Sequence, residues 1–203
     1  MRTMVIVCLT AVLLVMGLGA DSSAFAKSPF EIYGHAGYAH IHMKEKGGTG
    51  PDIKSTGPGL ALNVGGRWWF RDRLAVGLAV DRVQADATMN SARQEMHSTG
   101  FLGTLSYRFG TAGPVQALLT AGVGPFSSHI KGSGGPEVKG KSAVGFLAAL
   151  ELQAPLTERT RLSGQLGYRS VRYSKVQWNG VDIPDRKLDV NAFSVTVGLS
   201  YAF

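Results

Sequence analysis

Through the body of the chain, apolar side chains recur at every second position in stretches bounded by Gly, Pro, Asp or Lys, and no stretch has a convincing helical period. The clearest stretch sets Leu60, Leu62, Val64, Gly66, Trp68 and Phe70 on one face of a strand and Ala61, Asn63, Gly65, Arg67 and Trp69 on the other. The same parity sets Phe101, Leu105, Tyr107 and Phe109 against Leu102, Thr104, Ser106 and Arg108. It recurs with Val144, Phe146, Ala148, Leu150 and Leu152 against Ala143, Gly145, Ala149, Glu151 and Gln153. Strands are predicted at about 29–43, 58–70, 74–85, 97–109, 114–127, 141–154, 160–174 and 189–203. Their connections alternate in length. Arg71-Asp72-Arg73, Gly110 to Gly113 and Pro155 to Arg159 are short, whereas 44–57, 86–96, 128–140 and 175–188 are long and hydrophilic. One apolar face, one small or polar face and this alternation of turns predict an all-β fold, an eight-stranded antiparallel up-and-down transmembrane β-barrel.

A soluble sandwich or lipocalin-type barrel would share the alternation but would bury an apolar face. Here the small, polar face carries charge, and aromatics gather at strand ends. Trp68, Trp69, Phe70, Tyr107, Phe109, Tyr201, Phe203 and Phe30 fall at the end of the short turns, as a periplasmic aromatic girdle would.

Ahead of the first strand, Arg2 precedes an uncharged apolar run from Val5 to Leu18, and Ala24-Phe25-Ala26 supplies the small residues of a cleavage site. Residues 1–26 therefore read as a signal peptide, leaving 27–203 as a single barrel domain that is exported to the outer membrane. The only cysteine, Cys8, lies in that leader, so the mature chain has no thiol for a disulfide, a zinc site or a nucleophile. The net charge is +7. Nucleic acid fits an exported chain with lysines in its loops poorly; anionic outer-leaflet lipid fits better.

At the C-terminus, Val195-Thr196-Val197-Gly198-Leu199-Ser200-Tyr201-Ala202-Phe203 ends on an aromatic residue with apolar side chains at alternate positions. With the leader and the eight strands, this resembles the small outer-membrane barrels of the OmpA, OmpX and OmpW group over essentially the whole mature length. The resemblance implies that Tyr201 and Phe203 belong to a signal read by the barrel-insertion machinery. It names no activity.

Inward parity collects Glu31, Arg67, Asp81, Arg108, Glu151, Arg161 and Arg169 in the lumen. Counting from the short turns places Glu31, Arg67, Arg108, Glu151 and Arg161 together near the periplasmic rim, with Asp81 and Arg169 in a higher layer. The bore of eight strands is about the width its own side chains fill, so these charges are expected to pair as a plug. An anion-selective pathway is the competing reading.

The predicted loops hold Lys44, Lys46, Lys54, Lys131, Lys139, Lys141, Lys175, Arg186 and Lys187, and lipopolysaccharide contacts are expected of Lys44, Lys46, Lys131, Lys139, Lys141 and Lys175. Some barrels of this size modify lipid A with Ser, His and a carboxylate. The corresponding residues here are Ser127, Ser128 and His129, His97 and Ser98, and His40 and His42. Ser127 and His129 share a face, but no acid adjoins them in the sequence. His40 and His42 share a face without a third ligand, so no metal and no cofactor are expected. The reading is a monomeric, non-enzymatic barrel serving envelope integrity or surface interaction, with a narrow transporter of small or hydrophobic solutes as the alternative.

Overall fold

The computed structural model describes residues 29–47, 53–89, 92–112, 114–132, 137–183 and 186–203; the leader at 1–26 lies outside the described residues. The strands are β1 (Phe30–Lys46), β2 (Ile53–Arg71), β3 (Leu74–Met89), β4 (Ala92–Ala112), β5 (Val115–Gly132), β6 (Glu137–Pro155), β7 (Thr160–Tyr173), β8 (Val176–Trp178), β9 (Val181–Ile183) and β10 (Lys187–Ala202). Neighbours run β5-β4-β3-β2-β1-β10-β7-β6, and a further β5–β6 pairing closes the ring. All pairings are antiparallel. The result is a closed eight-stranded barrel with β8 and β9 as a small hairpin added to the long-connection end of β6.

The outside of the lower barrel is apolar. Leu78 is 75 % exposed, Val144 73 % and Phe101 62 %, which is the reverse of a water-soluble barrel and what a lipid solvent requires.

The strands run further than the pattern predicted. The segments expected as long loops at 44–57, 86–96 and 128–140 are largely strand, and the fourth, 175–188, contains the β8–β9 hairpin. Above the apolar band the polarity of the two faces inverts. Along β1, Glu31, Tyr33 and His35 point inward below, with Phe30 and Ile32 outside; higher up, Ile41 and Met43 point inward and His40 and His42 outward. The same inversion puts Val83 and Ala85 inside β3 with Arg82 and Gln84 outside, and Leu188 and Val190 inside β10 with Lys187 outside. Where water replaces lipid, the ladder continues but charged residues move to its outer face. The predicted loops were strands whose apolar positions had changed sides.

Candidate functional site

The lower lumen is built on β1, β2, β6 and β7. Glu31 and Arg67 are direct cross-strand partners, both buried. Arg67 donates to Glu31 at 3.0 Å and grips Glu151 with two bonds of 3.1 Å, the bidentate geometry that suits guanidinium and carboxylate. Arg161 donates to the other Glu31 oxygen at 3.1 Å. Two acids and two arginines balance. The remaining acceptor capacity is met by Gln153, whose amide donates to Glu151 at 2.7 Å and Glu31 at 3.0 Å. His35 shares a 2.8 Å hydrogen bond with Ser163 and stands 3.5 Å from Glu151. Arg67 also lies over the Tyr33 ring at 4.7 Å.

A second layer lies higher, where Arg169 meets Asp81 at 2.8 Å and Asn63 donates to the same carboxylate at 3.4 Å. Arg108 stands outside the hydrogen-bonded group of Glu31, Arg67, Glu151 and Arg161. It lies at the rim with its guanidinium 4.1 Å from the Trp69 ring and donates to the Asp72 carbonyl at 3.0 Å. The backbone bulge between Arg108 and Gly110 falls beside it. Trp69 needs correction as a girdle residue: its indole faces the lumen and donates to Glu31 at 3.1 Å, because its parity follows Arg67 rather than Trp68. Trp68, Tyr107, Phe109, Tyr201 and Phe203 are on the outside of the short-turn rim, where Phe203 packs on Tyr201 at 5.1 Å and on Phe30 at 5.6 Å.

Above the charge layers the bore is filled by apolar side chains. Phe126, Tyr173, Met96 and Ile41 are all at most 1 % exposed, and Ile130, Val138, Val171, Leu188 and Val190 join them, with Val176 of β8 on top. Phe126 is seated against Gly100 and Gly145, where any side chain would collide with its ring. None of this core was expected from the sequence. Its residues lay in segments read as loops or in a lumen expected to be polar, and only the inward parity of Ile41, Met43, Val83 and Leu188 carried the signal.

The candidate lipid-binding lysines separate. Lys44 and Lys46 lie on β1 beside Lys54 of β2, whereas Lys131 and Lys139 lie on β5 and β6 among acids, Lys139 3.4 Å from Glu137. Lys141 donates to Asp182 of the hairpin at 3.0 Å, and this bond, followed by one from Gln177, holds the Asp182 carboxyl below its usual range. Lys175 is exposed in the connection before β8. Among the catalytic candidates, Ser98 and Ser128 are buried inside, Ser127 is outside, and His129 faces Glu137, an acid that the sequence order concealed. His97 lies 3.2 Å from Glu95. Among the described residues no group of His, Cys, Asp and Glu has the geometry to hold a metal ion.

A family model described as the outer membrane protein beta-barrel domain matches residues 10–203. No curated protein matches the chain in sequence. Among solved structures, Neisserial surface protein A is similar with a TM-score of 0.55 at 18 % identity, covering 87 % of this chain and 98 % of its own. Outer membrane protein OprG of Pseudomonas aeruginosa follows with 0.56 at 16 %, covering 89 % and 98 %. The outer membrane protease OmpT of Escherichia coli gives 0.53 at 8 %, covering 86 % and 96 %. At these identities the likeness is one of fold, and a fold shared by a surface protein and a protease does not select an activity.

Proposed function

Since the chain belongs to the outer membrane protein beta-barrel domain family and so resides in the bacterial outer membrane, we propose that it is a non-conducting, non-enzymatic barrel whose work is done on its outer wall and exposed rim, in envelope integrity or surface interaction. The observation that carries this reading is the stacking of two different plugs in one bore. An ion would have to break the Arg67–Glu151–Glu31 layer and then cross the largely apolar core around Phe126 and Met96, where the buried hydroxyls of Ser98, Ser128 and Tyr173 are too few to replace its hydration. Planar-bilayer recording of the pure, folded protein tests it: the expected result is no steady unitary current, and a reproducible conductance overturns the closed-lumen reading.

Catalysis is disfavoured on geometric grounds. His129 has a carboxylate partner in Glu137, as a catalytic base would, but among the described residues no hydrogen bond joins it to Ser127. Incubation with lipid A, followed by mass spectrometry, is expected to leave every acyl chain in place. Fatty-acid release that His129→Ala abolishes would instead make the protein an enzyme.

A further inference from the structure

We propose that the wall formed by β2, β1, β10 and β7 above the apolar band is a docking face for lipopolysaccharide, whose acyl chains lie on the band while its phosphates and acidic sugars meet the cations above. The inference takes up the outer-wall reading and gives it a partner. Strand register carries the argument. Lys54, Lys44, Asp189 and Arg172 are consecutive cross-strand partners, so they form one row across four neighbouring strands. At ~4.8 Å between strands this row spans about 14 Å of outward surface. Lys46 and Lys187 are paired immediately above it.

Among the described residues, Asp189 is the only acid on this outer face. It accepts from Arg172 at 2.7 Å and lies 3.4 Å from Lys46. The Arg172 side chain is 71 % exposed and that of Lys46 44 %, within reach of a ligand lying on the wall.

The opposite wall is closer to charge balance. There the row across β3, β4, β5 and β6 reads Asp86, Glu95, Lys131, Glu137, three acids to one lysine. Over the described outer faces, Arg82, Lys131, Lys139 and Lys141 stand with Asp86, Glu95 and Glu137 on that wall, whereas Lys44, Lys46, Lys54, Arg172 and Lys187 stand with Asp189 alone on this one, so the excess of positive charge is greater here. It is also gathered at a cost, because Lys44 stands directly opposite Lys54 and Lys46 directly opposite Lys187, and like charges so paired destabilise a sheet. An anion lying across the row relieves both pairs. Three steps below the row, Leu60, Tyr38, Val195 and Leu166 present a continuous apolar surface on the same four strands. A cationic row over an apolar wall is complementary to an anionic headgroup on acyl chains, and to a free phosphate only in part.

The test compares two triple variants of the intact folded barrel, K44Q/K46Q/K187Q on this wall and K131Q/K139Q/K141Q on the other, by native mass spectrometry of bound lipid A and by titration into lipopolysaccharide vesicles. Folding of each is checked by heat-modifiable gel migration. The first triple is expected to lose affinity by about ten-fold or more and the second by less than about two-fold. Wild-type protein should show the same loss when lipid A is dephosphorylated. Equal losses in the two triples, or wild-type binding indifferent to dephosphorylation, overturn the proposal. Conductance recorded on the same preparation reports on the lumen separately, so a conducting barrel with wall-selective binding would sink the closed-lumen reading and support this one.

Discussion

At Arg67 two carboxylates and two aromatic rings converge on one guanidinium from four directions, Glu31 and Glu151 in its plane and Tyr33 and Trp69 beside it. Replacing it with Met would keep much of the stem's packing but leave two buried acids short of their partner. A loss of about 3–5 kcal/mol is expected, measured as a shift in the urea midpoint of the lipid-reconstituted barrel. Combining Arg67→Met with Glu151→Leu should cost less than the sum of the single variants, since the second change removes one of the stranded charges. This site was legible only in its charged members. Parity aimed Glu31, Arg67, Glu151 and Arg161 into the bore and set Gln153 on the same face, but Gln153 and His35 are neutral and were given no part in the network. Trp69 carried two conflicting signals, inward parity and an aromatic at a rim. The hydrogen-bonding demand of Glu31 decided between them.

Among the elements, the least expected is the β8–β9 hairpin. Its turn is Asn179-Gly180, with φ of +48° and +81°, the left-handed pair that a two-residue type I′ connection needs. Asn179 further ties the hairpin to β6, donating its backbone N–H to the Glu137 carbonyl at 2.8 Å and accepting from the Glu137 N–H at 2.8 Å. A Cβ at Gly180 would meet nothing within 4 Å, so Gly180→Ala is penalised by backbone conformation alone. About 1–2 kcal/mol is expected, appearing as faster amide exchange in residues 176–183 with the barrel's unfolding midpoint unchanged. Trp-Asn-Gly-Val is a hairpin signature, so this element was readable; it was hidden inside a segment classed by its hydrophilicity. The overhanging strand ends were hidden for a different reason. Polar residues on the water-facing side and apolar residues on the inner side keep the period of two but reverse its phase relative to the membrane zone. A search for one constant apolar face therefore stops where the band stops.

For the whole molecule, the inversion makes two barrels in series from one set of strands, a polar-cored one in lipid and an apolar-cored one in water. On the closed-lumen proposal, each blocks the bore by itself. Phe126→Ala should remove the ring seated on Gly100 and Gly145 and cost about 3–5 kcal/mol, read by thermal unfolding. The same variant should still pass no steady current, because the Arg67–Glu151–Glu31 layer beneath it is intact. An open channel in this single variant would show that the lower layer does not seal.

The lower charge layer also bears on how the chain finds its register. Its members come from strands separated by 36, 84 and 130 residues, so they meet only once β1 has found β2 and β10 and the ring has closed. A one-residue slip of β1 would turn Glu31 toward lipid and take its carboxylate away from both Arg67 and Arg161, an error several kcal/mol above the correct pairing. The layer thus acts as an internal checksum, which a mispaired barrel fails before its surface is ever displayed.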